Sequence, residues 1–105
     1  MNLEQFGFHR LAEGELLHAY LWYKERSEEA ALKFKLSLDH SLFRIADHSQ
    51  RLPTLGKTYQ DVRVNDFPYT IIFRKLESAD YQFFVYALPH TSRKTSYWRS
   101  RRATD

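Results

Sequence analysis

The chain has 105 residues, 43% of them hydrophobic and 16% aromatic, with 16 Lys and Arg against 13 Asp and Glu. That is one domain's worth of chain, apolar enough to fold and too polar for a membrane span of roughly 18 apolar residues. It has no cysteine, which excludes disulfides and thiolate metal sites.

The opening MNLEQFGFHRLAEGELL has no basic segment leading into an apolar one, so no signal peptide is expected and the expected compartment is the cytoplasm. The expectation is a single domain over residues 1–105 with a basic C-terminal tail from about 89. Acids gather early, at Glu13, Glu15, Glu25, Glu28 and Glu29. From Tyr81 to Thr104 there is no acid, while Arg93, Lys94, Arg99, Arg101 and Arg102 all fall there. A basic end suits an anionic partner, nucleic acid or acidic protein, and suits a solvated tail equally well.

In chain order, residues 2–8 read as a short strand. HRLAEGELLHAYLWYKERS reads as a helix with Leu16, Tyr20 and Tyr23 on one stripe, extended by Leu17 and Leu21. Gly14 costs it about 1 kcal/mol relative to Ala. Trp22 and Tyr23 are both expected in core or helix–sheet contacts. Ser27 is placed to N-cap a second helix, with Glu28 and Glu29 at its positive end. That helix runs to about residue 48, with Ala31, Phe34, Leu38, Leu42 and Ile45 as its core stripe. Leu32, Leu36 and Phe43 lie off the stripe and either widen the buried face or leave apolar surface for a partner. The short connection predicts an antiparallel helical hairpin.

Pro53 and Gly56 in RLPTLGKT end the helix and turn the chain. The period then changes to two. QDVRVND alternates Val62 and Val64 with polar neighbours, and FPYTIIFRK puts Phe67, Tyr69, Ile71 and Phe73 on one face. YQFFVYAL puts Tyr81, Phe83, Val85 and Ala87 on one face and Phe84, Tyr86 and Leu88 on the other, so it belongs in the middle of the sheet. LESAD joins the last two strands as a hairpin. The expected fold class is α+β, a helical hairpin on a small, mainly antiparallel sheet in the order β-α-α-β-β-β.

Four segments together carry a resemblance: LAEGELLHAYLWY, LPTLGKTYQDVRV, FPYTIIFR and ALPHTSRKTSYW. Ala12, Glu13, Glu15 and Leu16, then Phe67, Pro68, Tyr69 and Ile71, then His90, Arg93, Tyr97 and Trp98 resemble the recurring positions of the RelE/ParE superfamily of bacterial type II toxins, and most closely its plasmid stabilisation branch. The resemblance spans about residues 3–102. Two departures are the absence of a proline before Tyr97 and Trp98, where Thr95 follows Lys94, and a shorter segment between Tyr59 and Phe67. It implies a toxin neutralised by a cognate antitoxin that wraps around it, with operator DNA engaged only through the antitoxin. ParE-like members poison DNA gyrase by binding; RelE-like members cleave mRNA on the ribosome. A non-toxic antitoxin-binding or regulatory member is a third reading.

For RNA cleavage, His90 would supply acid or base chemistry, Arg93 or Arg74 would hold the phosphate, and Tyr97 would position or donate a proton. Against that, Thr70 follows Tyr69 where the nucleases of the family carry an arginine, and only Lys57 and Arg63 stand for their basic cluster. The leading expectation is therefore gyrase binding, with Lys57, Arg63, Arg74, His90, Arg93, Tyr97 and Trp98 as target or antitoxin contacts. Trp98 is expected to pin the tail onto the sheet, and Arg99, Arg101 and Arg102 to form a solvated chain end. His9, His18, His40, His48 and His90 show no metal-ligand spacing, and no glycine loop for phosphate is present, so neither metal nor cofactor is expected, and no membrane partner.

Overall fold

In chain order the computed structural model has β1 (Phe6–Phe8), α1 (Arg10–Arg26), α2 (Glu28–His48), a 3-10 turn (Ser49–Arg51), β2 (Thr54–Leu55), β3 (Tyr59–Arg63), β4 (Thr70–Lys75) and β5 (Phe83–Ala87). It describes residues 5–76, 80–92 and 96–105; the start of the first expected strand, most of the 76–80 link and Arg93 lie outside these. The fold is α+β, two helices on a five-stranded mixed sheet of order β1-β5-β4-β3-β2. Only β1 runs parallel to its neighbour β5; the other pairs are antiparallel.

The helix boundaries follow from their caps. Ser27 Oγ accepts a hydrogen bond from Ala30 N at 3.1 Å, so one residue ends α1 and starts α2. At the other end of α1 the cap is His9, whose Nδ1 accepts from Leu11 N at 3.1 Å. Histidine is an unusual N-cap, so nothing local marked it as one. The hairpin is held on the sheet by Phe34, which packs its ring on Tyr23, Phe67 and Tyr69 at centroid distances of 5.2, 5.1 and 5.6 Å.

The α2 core stripe forms as expected, with Ala31, Phe34, Leu42 and Ile45 buried. The α1 stripe differs. Leu16, Tyr20 and Tyr23 do face the core, but the fully buried positions are Ala12 and Ala19. Leu17, Leu21 and Trp22 turn outward, and Trp22 stacks under the Arg26 guanidinium at 3.6 Å rather than entering the core. The turn after α2 holds the two-residue strand β2, an element too short to show in a period.

Strand β5 is buried along its whole length, as an all-apolar strand between two neighbours should be. Its faces are not the simple alternation expected. The register slips between Ile72 and Phe73, pairing Ile72 with Ala87 and Phe73 with Val85. Tyr86 is the extra residue of this bulge, so every later side chain changes face. Ala87 joins Ile72, Phe84 and Tyr86 on the outer face, and Leu88 joins Phe83 and Val85 under the helices. Tyr81 precedes the strand and packs outside on Phe84 at 5.6 Å, not beside Phe83. Gly7 gives that corner its room, since a Cβ there would stand 2.7 Å from the Tyr81 ring and 2.8 Å from Phe84.

The chain's ending then covers the outer face. Trp98 has no solvent exposure and lies with Ile72, Phe84, Tyr86 and Ala87, its ring edge-on to Tyr59 at 4.7 Å. This layer makes Trp98→Ala costly. The expected loss is about 3–5 kcal/mol in a denaturant titration, while Arg102→Ala on the exposed side of the same segment should stay within about 0.5 kcal/mol.

Candidate functional site

The segment after β5 is built into the domain by four polar contacts, and these decide what is left for partners. Arg101 donates to Glu15 Oε2 at 2.8 Å and to the Tyr86 carbonyl at 2.9 Å. Glu15 accepts a second hydrogen bond, at its other oxygen, from Leu88 N at 2.9 Å. The His9 ring sits between Leu11 N and Asp105. Because Nδ1 accepts, the neutral ring carries its proton on Nε2 and donates it to Asp105 Oδ2 at 3.0 Å. That hydrogen bond, with one from Arg102 N, holds the Asp105 carboxyl below its ordinary 3.8. The expected solvated tail is thus corrected at Arg101, which is spent inside the fold. Arg102 is exposed but pairs with Asp105 at 3.5 Å, and Arg99 is exposed and stacks on Trp98 at 4.8 Å.

The candidate residues fall in three places. Arg74, Tyr97 and Trp98 belong to the outer face of the sheet. There Arg74 stands 6.0 Å over the Tyr59 ring and beside the Tyr86 hydroxyl. Burial pushes the Tyr86 phenol up, with the Arg74 charge and hydrogen bond pulling the other way. Tyr97 packs against the outer cluster, with the Arg101 guanidinium over its ring at 5.0 Å. Lys57 is exposed in the β2–β3 turn, and Arg63 is exposed at the end of β3.

His90 belongs to the opposite side, where it bridges to Tyr69 and sets its ring edge-on to that phenol at 5.2 Å. Tyr69 packs with the helix-side core, and burial raises its pKa, so the phenol stays protonated at neutral pH. His90 Nδ1 accepts from Ser92 N at 3.1 Å and lies 2.7 Å from Ser92 Oγ. The proton of the neutral ring is therefore on Nε2. In this tautomer His90 offers a donor at Nε2 and shares its Nδ1 lone pair with Ser92.

His90, Tyr69 and Arg101 line a groove of about 450 Å³ with Arg10, His18 and Glu15 of α1. The sequence marks His18 only as a histidine without metal-ligand spacing and does not mark Arg10, whose spacing of eight from it matches no ligand motif; the fold brings both into a groove with His90. A second, larger groove of about 610 Å³ runs between the helices over Ile71, Val85 and Leu88, with Leu16, Tyr20, Leu38 and Leu42 among its apolar walls and Glu13, Lys35 and Asp39 on its rim. Large apolar side chains also stand outside both helices: Leu11, Leu17, Leu21 and Trp22 on α1, and Leu32, Leu36 and Phe43 on α2, each 42–58% exposed. These α2 positions leave apolar surface, the second of the two outcomes the stripe allowed.

Chemically, the arrangement offers apolar seams for a protein and one polar groove, and does not gather Arg74, His90 and Tyr97 around a common point. Among the described residues no group of three or more His, Asp or Glu is placed to hold a metal ion, and no helix is long and apolar enough to cross a membrane. No protein-family model matches the chain, and no curated protein matches it.

Two measurements test the tail contacts. Glu15→Ala strands Arg101 and the Leu88 amide, and should lower unfolding stability by about 3 kcal/mol, whereas removing the exposed Glu29–Lys33 pair should cost about 0.5 kcal/mol or less. Asp105→Asn should lower stability at neutral pH. A depressed carboxylate stabilises above its ordinary 3.8 and loses that contribution as pH falls through its folded value. The melting curves of variant and parent should therefore converge in strong acid.

Proposed function

We propose that the chain is the toxin of a bacterial type II toxin–antitoxin pair of RelE/ParE type, held inactive in the cytoplasm by a cognate antitoxin and acting by binding DNA gyrase. The family part of this reading rests on the resemblance of the four sequence segments; an α+β domain with a helical hairpin over a small sheet is compatible with it. The choice of binding over catalysis rests on one observation. Among the described candidates, Arg74 and Tyr97 belong to the outer face and His90 to the side of Tyr69, its Nδ1 accepting from Ser92 N, while Arg93 lies outside the described residues.

An antitoxin that wraps the toxin needs apolar surface to bury. The seam between the helices and the outer side of α2, with Leu32, Leu36 and Phe43, supplies it. Aromatic and aliphatic anchors of that kind contribute most of the energy in helix-in-groove recognition. For the target, the candidate cations Lys57 and Arg63 are exposed and Arg74 is half-exposed.

The endonuclease reading draws on a different observation, the groove that sets His90 and Tyr69 beside Arg10, His18 and Arg101. In that reading the protonated His90 ring, with its Nδ1 contact to Ser92 released, donates from Nε2 to a leaving oxygen, as an acid, and Arg10 holds the phosphate.

The two readings part on expression of the chain alone. Gyrase binding predicts arrested growth, relaxed plasmid DNA and intact mRNA. Rapid codon-dependent mRNA cleavage, abolished by His90→Ala, would replace the first reading with the second. A folded protein with no effect on growth would sink both and leave a regulatory module.

A further inference from the structure

Helix α1 is apolar on two sides, with Leu16, Tyr20 and Tyr23 packed toward the core. The two positions it buries completely are alanines, Ala12 and Ala19, while Leu11, Leu17, Leu21 and Trp22 face solvent. A surface helix ordinarily shows one apolar stripe toward the core and a charged face outward. Here Gly14, Leu17 and Leu21 step by three and four along the outer face, flanked by Leu11 and Trp22, with the exposed His18 as the polar residue among them. Their spacing makes one continuous seam about 15 Å long at 1.5 Å per residue. Gly14 sits in that seam with nothing within 4 Å of where its Cβ would be. In an exposed helix interior glycine is a cost to the monomer, but beside a second helix it is a place where backbones approach closely.

From this we infer that the outer face of α1 pairs with α1 of a second copy of the chain, antiparallel about a two-fold axis. The charges select the occupant and its direction. Arg10 and Glu13 lie at one end of the seam, Lys24 and Glu25 at the other, all exposed. Turned antiparallel, with Gly14 facing Leu21 of the partner copy, the helix brings Arg10 opposite Glu25 and Glu13 beside Lys24 at both ends. A parallel pair would set Glu13 against Glu13 and Lys24 against Lys24. The face is therefore complementary to itself in one orientation, which is what an isologous interface requires. Leu21 of each copy fills the space over Gly14 of the other, and the Trp22 ring, held flat by Arg26 at 3.6 Å, walls the side. The inference does not depend on the toxin reading, although Glu13 and Leu17 also line the seam between the helices and Arg10, Leu11 and Gly14 the His90 groove.

Sedimentation of the purified chain from micromolar to submillimolar concentration tests it. The expected result is a concentration-dependent dimer. Leu21→Glu should weaken it by about tenfold or more, since each copy would bury a carboxylate against the other. Gly14→Leu separates interface from fold. It should raise the melting temperature of the monomer, because leucine is the better helix former, and yet weaken dimerisation about tenfold by filling the space Leu21 needs. Glu13→Lys alone should weaken pairing, and mixing it with Lys24→Glu should restore a heterodimer. A chain that stays monomeric throughout, leaving the face to some other protein, overturns the inference. So does a dimer that Leu21→Glu and Gly14→Leu leave unchanged.

Discussion

A strand that is apolar on both faces must be covered on both, and β5 imposes that constraint on the whole chain. On one side the helical hairpin brings Phe34, Leu42 and Ile45 to Phe83, Val85 and Leu88. On the other the described residues form no second pair of helices, and a sheet face carrying Ile72, Phe84 and Tyr86 would otherwise lie open to water. The segment after β5 closes it, with Trp98 as the main piece of apolar cover. The bulge at Tyr86 decides how the two covers divide the load, because the one-residue slip sends Ala87 outward and Leu88 inward.

Closing the outer face also settles what the basic ending does. To keep Trp98 in place the chain must return past the end of β5, and there Arg101 meets the Glu15 carboxylate and the Tyr86 carbonyl. Glu15 at the same time satisfies the Leu88 amide, which has left the ladder. A partly buried charge pair of this kind contributes position more than free energy, since its desolvation offsets much of its attraction. Its consequence is a subtraction: the tail has fewer cations for an anionic partner than its composition suggests. Apolar surface is what the molecule displays in excess, on the outer sides of both helices.

The elements were legible because each has a period long enough to register: the three-and-four stepping of α2, the Ser27 cap, the alternation through Ile71 and Phe73, the unbroken apolar run of β5. The site was much less so. Glu15 and Arg101 are 86 residues apart and His9 and Asp105 are 96 apart, so no local spacing rule could join them. Arg10, His18 and His90 share a groove only because α1 packs beside the end of β5. The outward turn of Leu17 and Leu21 was hidden for another reason. With apolar residues all around α1, the sequence offers two defensible stripes, and only the packing of Ala12 and Ala19 chooses between them.

What the sequence by itself determined is the class of the fold and the order of its parts, because helix and strand periods, caps and turn residues act over a few residues at a time. What the tertiary structure alone decided is the register and the faces. The slip at Tyr86, the burial of Trp98, the pairing of Arg101 with Glu15 and the exposure of the α1 leucines all depend on which distant segments meet. Those meetings are fixed by the shape of a shared core, and a single side chain carries no record of the partner that will cover it.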